Sequence, residues 1–382
     1  MRVISPVSST LGVLICECDG YNRPFAEQQF LKQLCQYGSS FGLEVCIFDP
    51  NTWDEENKKI KGWTWDNTKR RWHNTPRPLP VLLYDRSWPQ TDDERYKFRQ
   101  AVTRLQSICS LTFMNSHMPH KGKVIALLSR DAYLRHLVPP TIPFNGPLSI
   151  TRFLVDHGPS LFLKPAIGSQ GKRVVALFAN PQGQAKLSGR TSNNVSFVRN
   201  YANTDDAIER LQRWIGSRHY LIQPNLELRN AVGEPFDLRV LMQKNEKAQW
   251  SLTGIAARCG DVHTVTANLH GGGRARPATE VLTEMLGNVR ASALLLEVRQ
   301  HAFDLVKKLE QSLGRFAELG LDFGIDHRGK CWFLEANSKP GRTSLRALGR
   351  HAARAAITSP LAYASSILLR KPGRVIHESN RL

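Results

Sequence analysis

Apolar positions in the first hundred residues alternate between short runs and helical spacing. Residues 12–17, 43–48 and 80–84 read as buried strands, and 25–37 as a helix. Between them, residues 58–77 alternate through Trp63 and Trp65, turn at Asp66 and Asn67, and return through Trp72, the pattern of an exposed β-hairpin. The spacing predicts helices over 95–111 and 124–136. A proline-rich run at 138–143, followed by Gly146 and Pro147, cannot continue a helix and places a domain connection near 145. Beyond it the pattern predicts a helix over 150–156, a strand over 161–165, a glycine loop and a strand over 173–178. Two further strands, a helix over 205–215 and a strand over 220–223 follow. A strand pair (237–243, 250–258), a long amphipathic helix (290–313) and strands near 321–325 and 331–334 complete an α/β chain without internal repeats.

The 382 residues allow two or three domains at about 100–200 residues each. With 41% hydrophobic and 22% charged residues, the chain is globular rather than disordered. Its formal charge of +19 favours anionic partners: nucleotides, nucleic acid, acidic polymers or a membrane surface. The seven cysteines are odd in number and scattered, as expected in a reducing compartment, and Cys16 and Cys18 make a weak zinc candidate. The start lacks a cleavage signal and no apolar run reaches membrane-spanning length. A cytoplasmic location is the expectation.

The segment 320–341 carries the strongest chemical pattern. Two strands joined by a turn at 327–329 bring Asp322 beside Glu335, with Asn337 on the same face. Two carboxylates and an amide oxygen suit magnesium, although a plain hairpin with solvated acids has the same pattern. Lys164 lies on a predicted buried strand and leads into Gly168-Ser169-Gln170-Gly171, a loop that suits phosphate but matches neither a Walker A loop nor a Rossmann fingerprint. The apolar strand ending in Gln223-Pro224, followed by Asn225, Leu226 and Glu227, offers backbone groups to an adenine ring and a carboxylate to ribose, or is a capped core strand. Arg239 and Arg258, on neighbouring strands, are placed either to grip phosphoryl oxygens or to form a salt bridge with Asp237.

Taken in order, these pieces resemble the ATP-grasp superfamily over about residues 120–345. Pro235 to Val240, Thr266-Ala267-Asn268-Leu269 before Gly271 to Gly273, Asn337 to Arg342 and Tyr84-Asp85-Arg86 look most like its endospore coat-associated YheC/YheD branch. The resemblance implies an α/β architecture: a pre-domain (1–145), a two-lobed ATP-grasp domain (146–345) and a basic helical tail (346–382). It implies a ligase that uses ATP and one or two Mg2+ ions, with Mn2+ an alternative, to join a carboxylate to an amine or other nucleophile through an acyl phosphate. In that resemblance Lys123 and Lys164 contact the nucleotide, and Gln223 to Glu227 form the adenine hinge and ribose contact. Gly168, Ser169, Gln170 and Gly171 close over the phosphates. Asp322, Glu335 and Asn337 hold the metal, and Arg258, with Arg239, stabilises the transferred phosphoryl group. The cationic surroundings favour an acidic or peptide-like substrate. The rival expectation is a structural coat or assembly protein that binds ATP with little turnover.

Two features lie outside that resemblance. Arg342, Arg346, Arg350 and Arg354 recur every four residues, which on a helix makes a stripe inviting an acidic partner. The hairpin 58–77 has seven basic residues and one acidic residue. Interleaved cations and aromatics permit nucleic-acid binding, but no nucleic-acid module surrounds them, and packing on its own domain is the expectation.

Overall fold

The computed structural model describes residues 9–17, 25–168, 171–267 and 272–369. A first sheet contains β1 (Thr10–Leu14), β2 (Glu44–Phe48), β3 (Ile60–Asp66), β4 (Arg71–Arg77), β5 (Leu82–Asp85) and β6 (Thr112–Phe113), ordered β4-β3-β2-β1-β5-β6. β1 is parallel to β2 and β5, and β5 to β6; α1 (Gln28–Gly38) makes the crossover from β1 to β2 and α2 (Asp92–Ile108) that from β5 to β6. Leu11 and Val13 pack with Leu31 and Leu34 of α1, while Leu14, Phe48 and Leu83 pack with Phe98 and Leu105 of α2. Strands covered on both faces are apolar throughout, which makes them legible as runs. The hairpin β3–β4 extends this sheet, and Trp63 and Trp72 meet Phe25 edge-on.

The expected helix over 124–136 is α3 (Lys121–Ser129), shorter and starting earlier. It cannot run on because Asp131 Oδ1 accepts the N–H groups of Tyr133 and Leu134 and turns the chain. The proline run then forms β7 (Ile142–Pro143), an edge strand, where a missing N–H is tolerated. With β8 (Ser160–Pro165), β9 (Val175–Ala179), β10 (Ala185–Arg190), β11 (Ser196–Tyr201) and β12 (Tyr220–Pro224) it makes a second sheet, ordered β11-β10-β9-β8-β12-β7. α4 (Pro147–His157) and α5 (Thr204–Ile215) supply its core through Ile150, Phe153, Ile208 and Leu211.

A third, antiparallel sheet has the order β15-β14-β13-β16-β17: β13 (Phe236–Lys244), β14 (Trp250–Cys259), β15 (Arg274–Pro277), β16 (Glu318–Ile325) and β17 (Cys331–Asn337). One face packs on α6 (Ala278–Leu313) through Leu294, Val298, Leu305 and Leu309. Gly287, at φ 76°, breaks α6 into two pieces, of which the second is the predicted helix. β15 was not expected from the pattern.

The C-terminal segment corrects one expectation. Thr343–Leu348 is a 3-10 turn and α7 begins only at Arg350 (Arg350–Leu368), so the four arginines do not share one helical face. Arg342 is turned inward onto Glu318, while Arg346, Arg350 and Arg354 are exposed. α7 is held by its apolar side: Ile357, Leu361, Ala364 and Leu368 repeat at helical spacing and enter the core beneath α1. Residues 370–382 lie outside the described region. Among the described residues, no helix is long and apolar enough to cross a membrane.

Candidate active site

Strand register in the third sheet builds a row of charge. Arg258 on β14 lies opposite Asp237 on β13, Arg239 opposite Asp322 on β16, and Asp322 opposite Glu335 on β17. Residues two apart share a face, so Asp237 accompanies Arg239, and Glu335 accompanies Asn337. Arg239 binds Asp322 through Nε–Oδ1 (2.6 Å) and Nη2–Oδ2 (3.1 Å). Arg258 binds Asp237 through Nε–Oδ1 (2.6 Å) and Nη2–Oδ2 (2.7 Å), and its Nη2 also lies 2.9 Å from Asp322 Oδ2. Burial would lower the Arg258 guanidinium, but Asp237 and Asp322 outweigh it and keep the group charged.

Across a cleft of about 1140 Å³ the second sheet supplies the opposing wall. Lys164, on β8, is buried, and its Nζ donates to the Leu334 carbonyl at 3.2 Å. Burial, joined by repulsion from Lys121, pushes its ammonium down to about 8. Near the end of β12, Gln223 donates its Nε2 to Thr141 Oγ1 at 2.7 Å, and Pro224, Asn225, Leu226 and Glu227 continue along the cleft. The exposed Glu227 carboxylate stands 3.4 Å from His327 Nδ1. Gly171, at φ 64°, lines the cleft; Gly168 belongs to the same loop. Ser169 and Gln170 lie outside the described residues, as do Asn268, Leu269 and Gly271.

The lysine placements differ from expectation. Lys123 sits on the exposed side of α3, whereas Lys121, in its first turn, reaches Glu335 Oε2 at 2.7 Å. An earlier helix start rotates the pair: two residues along a helix differ by about 200° in direction, so only one can face the cleft. Burial would raise the Glu335 carboxyl, but the charge and hydrogen bond of Lys121, with Asn337 and Lys164, hold it far below the usual range. Asn337 Nδ2 donates to Glu335 Oε1 at 3.1 Å, which leaves the Asn337 amide oxygen for another partner.

The far end of the cleft, unseen in the sequence, is walled by Glu27, Trp88, Lys339, Arg342 and Thr343. A buried cluster supports it. Glu318 accepts from the Tyr84 hydroxyl, Arg86 Nη1 (3.3 Å), Gln243 Nε2 (2.9 Å) and Arg342 Nη2 (2.6 Å). Arg86 also holds Glu27 through Nε–Oε2 (2.9 Å) and Nη2–Oε1 (2.7 Å). Lys339 Nζ bridges Asp85 Oδ1 (2.7 Å) and Ser87 Oγ (2.8 Å). In the sequence, Tyr84-Asp85-Arg86 and the run from Asn337 to Arg342 carry the resemblance to the YheC/YheD branch but, Asn337 aside, are assigned to no part of the site.

A donor set for a cation can be tested on this geometry. Among the described residues no three His, Cys, Asp or Glu side chains gather at one point. Asp322, Glu335 and the free Asn337 oxygen are hard donors, too few to fill an octahedron, and fit an ion that shares its remaining positions with phosphate and water.

Two sheets facing each other across a cleft, one presenting lysines and the other a row of acids and arginines, make this an ATP-grasp fold. Solved structures of that fold match nearly the whole chain. D-cycloserine synthetase DcsG covers 94% of this chain and 99% of its own, with a TM-score of 0.53 and 12% identity. The ATP-grasp ligase PsnB, complexed with a minimal precursor, covers 93% and 99%, with a TM-score of 0.52 and 15% identity. The chain belongs to the YheC/D-like ATP-grasp family, whose model matches residues 110–367. It is 27% identical over 330 residues to the endospore coat-associated protein YheC of Bacillus subtilis (strain 168), spanning 84% of this chain and 86% of that protein. To YheD of the same organism it is 26% identical over 332 residues, spanning 84% and 70%.

Proposed function

We propose that the protein is a magnesium- and ATP-dependent ligase that activates a carboxylate and transfers its acyl group to an amine or other nucleophile. The observation that carries this reading is the opposition of Asp322 and Glu335, with Asn337, across the cleft from Lys164 and the Gln223 strand. In this reading the γ-phosphoryl group passes to a carboxylate oxygen, ADP leaves, the nucleophile adds to the carbonyl carbon, and phosphate departs. Such a transfer needs positioning and charge neutralisation rather than a protein nucleophile. Asp322, Glu335 and Asn337 hold magnesium, which supplies Lewis-acid neutralisation of the phosphate oxygens. Lys164 and Lys121, the latter in place of Lys123, bind phosphates; Gly168 to Gly171 cover them; Gln223 to Leu226 seat the adenine and Glu227 the ribose. Arg258, with Arg239, steadies the transferred phosphoryl group. The cleft exceeds the roughly 300–1,000 Å³ of a single-ligand site, and its cationic surplus supports an acidic or peptide-like substrate at the Trp88 end.

Melting curves with ATP, ADP and magnesium test this. A ligand at a hundred times its Kd adds about 2.7 kcal/mol. A magnesium-dependent rise in Tm, absent in Glu335→Gln, is the expected result, followed by ADP release when carboxylates and amines are supplied together. No shift at millimolar nucleotide refutes the site. The coat-associated names of both relatives favour a second reading, an assembly protein that binds ATP without turnover in the cytoplasm or at a spore coat. A nucleotide shift without ADP release across acidic and peptide substrates would select it.

A further inference from the structure

Resting on the nucleotide and metal reading above, we infer that Lys121 and Arg258 are built-in counter-ions that hold the acidic site closed to a divalent cation until nucleotide phosphates arrive. Each carboxylate that would take the metal is already engaged. Glu335 has Lys121 on Oε2 (2.7 Å) and Asn337 on Oε1 (3.1 Å); Asp322 has Arg239 on both oxygens and Arg258 on Oδ2 (2.9 Å). Asp237, Asp322 and Glu335 face Lys121, Lys164, Arg239 and Arg258, so three negative charges meet four positive ones. A lone cation entering this cluster meets net repulsion in a poorly solvated place, where charge interactions are strong.

The two groups that must yield can be told from the one that stays. Arg239 grips Asp322 with two nitrogens, Nε and Nη2, and is buried. Arg258 spends only one nitrogen on Asp322 and keeps its two-point pair with Asp237 if that contact breaks. Lys121 hangs from the first turn of α3 on a flexible stem, with 21% of its side chain exposed. Phosphate oxygens would give both cations new partners as they release Asp322 and Glu335. Metal and nucleotide then favour each other by equal factors, as linkage demands.

The test uses the full chain, Mn2+ as the probe metal and a non-hydrolysable ATP analogue. By calorimetry or electron paramagnetic resonance, the wild type without nucleotide should bind Mn2+ only in the millimolar range. Lys121→Met, also without nucleotide, should bind it roughly tenfold more tightly or better, while its affinity for the analogue falls. Adding Glu335→Gln to Lys121→Met should remove the gained Mn2+ binding, and Lys121→Gln should repeat the gain with a polar side chain. Micromolar Mn2+ binding by the free wild type, or unchanged Mn2+ affinity in both Lys121 variants, overturns the inference while leaving the nucleotide site intact. Failure of the wild type to bind the analogue, with or without metal, overturns the proposed function instead.

Discussion

Replacing Glu318 by Gln changes almost no volume but removes one charge from an ionic cluster in which the Glu318 and Arg86 side chains are both fully buried. Glu318 is fully buried, and its two oxygens accept from Tyr84, Arg86, Gln243 and Arg342. A glutamine keeps one acceptor and turns an NH2 group toward donors on the other side. Arg86 retains Glu27, but Arg342 loses its ion pair and keeps hydrogen bonds to carbonyl and hydroxyl oxygens, the face of Phe30 and the attraction of Glu27. Breaking a buried pair from one side costs about 3–5 kcal/mol. At about 2.1 cal/mol/K per residue, 382 residues give an unfolding entropy near 0.8 kcal/mol/K, so Tm should fall by about 4–6 °C. Calorimetric melting measures it. The double variant Glu318→Gln/Arg342→Gln should lose less than the two single losses summed, because the orphaned cation is gone. A fall below about 1 °C, or simple additivity, would refute the view that this cluster braces the Trp88 end of the cleft.

Other expectations follow from single residues. Because burial and Lys121 lower the Lys164 ammonium to about 8, nucleotide affinity should weaken as pH rises through about 8, and Lys164→Met, already weak, should show no such step. The same group releases its proton earlier when folded than when unfolded, so its contribution to stability rises between about pH 8 and the ordinary lysine value; denaturant midpoints read against pH would show the sign. Lys121→Ala should abolish most nucleotide-induced stabilisation, whereas the exposed Lys123→Ala should leave it within experimental error. Leu361→Ala, in the core beneath α1, should cost about 2–5 kcal/mol by denaturation; a loss under 0.5 kcal/mol would mean that this core does not hold α7.

Much of this protein is readable along the chain because its signals are local. Strands β1, β2, β5 and β12 are apolar runs bounded by turn residues, and the pattern Asp322, Glu335, Asn337 needs only a hairpin and period-two alternation to converge. Lys164 beside a glycine loop is legible for the same reason. Partner choice is another matter. Arg239 could pair with Asp237 two residues away, yet it takes Asp322, 83 positions on, because strand order sets β13 beside β16 and register sets those two residues opposite each other. Lys121 rather than Lys123 enters the cleft because tertiary contacts set where α3 begins. The wall of Glu27, Trp88 and Arg342 joins three distant segments through one buried glutamate, and α7 looks basic in sequence while its apolar face lies in another unit's core. Periodicity states which side of an element is apolar; only packing decides which partner that side, or a charge beside it, will meet.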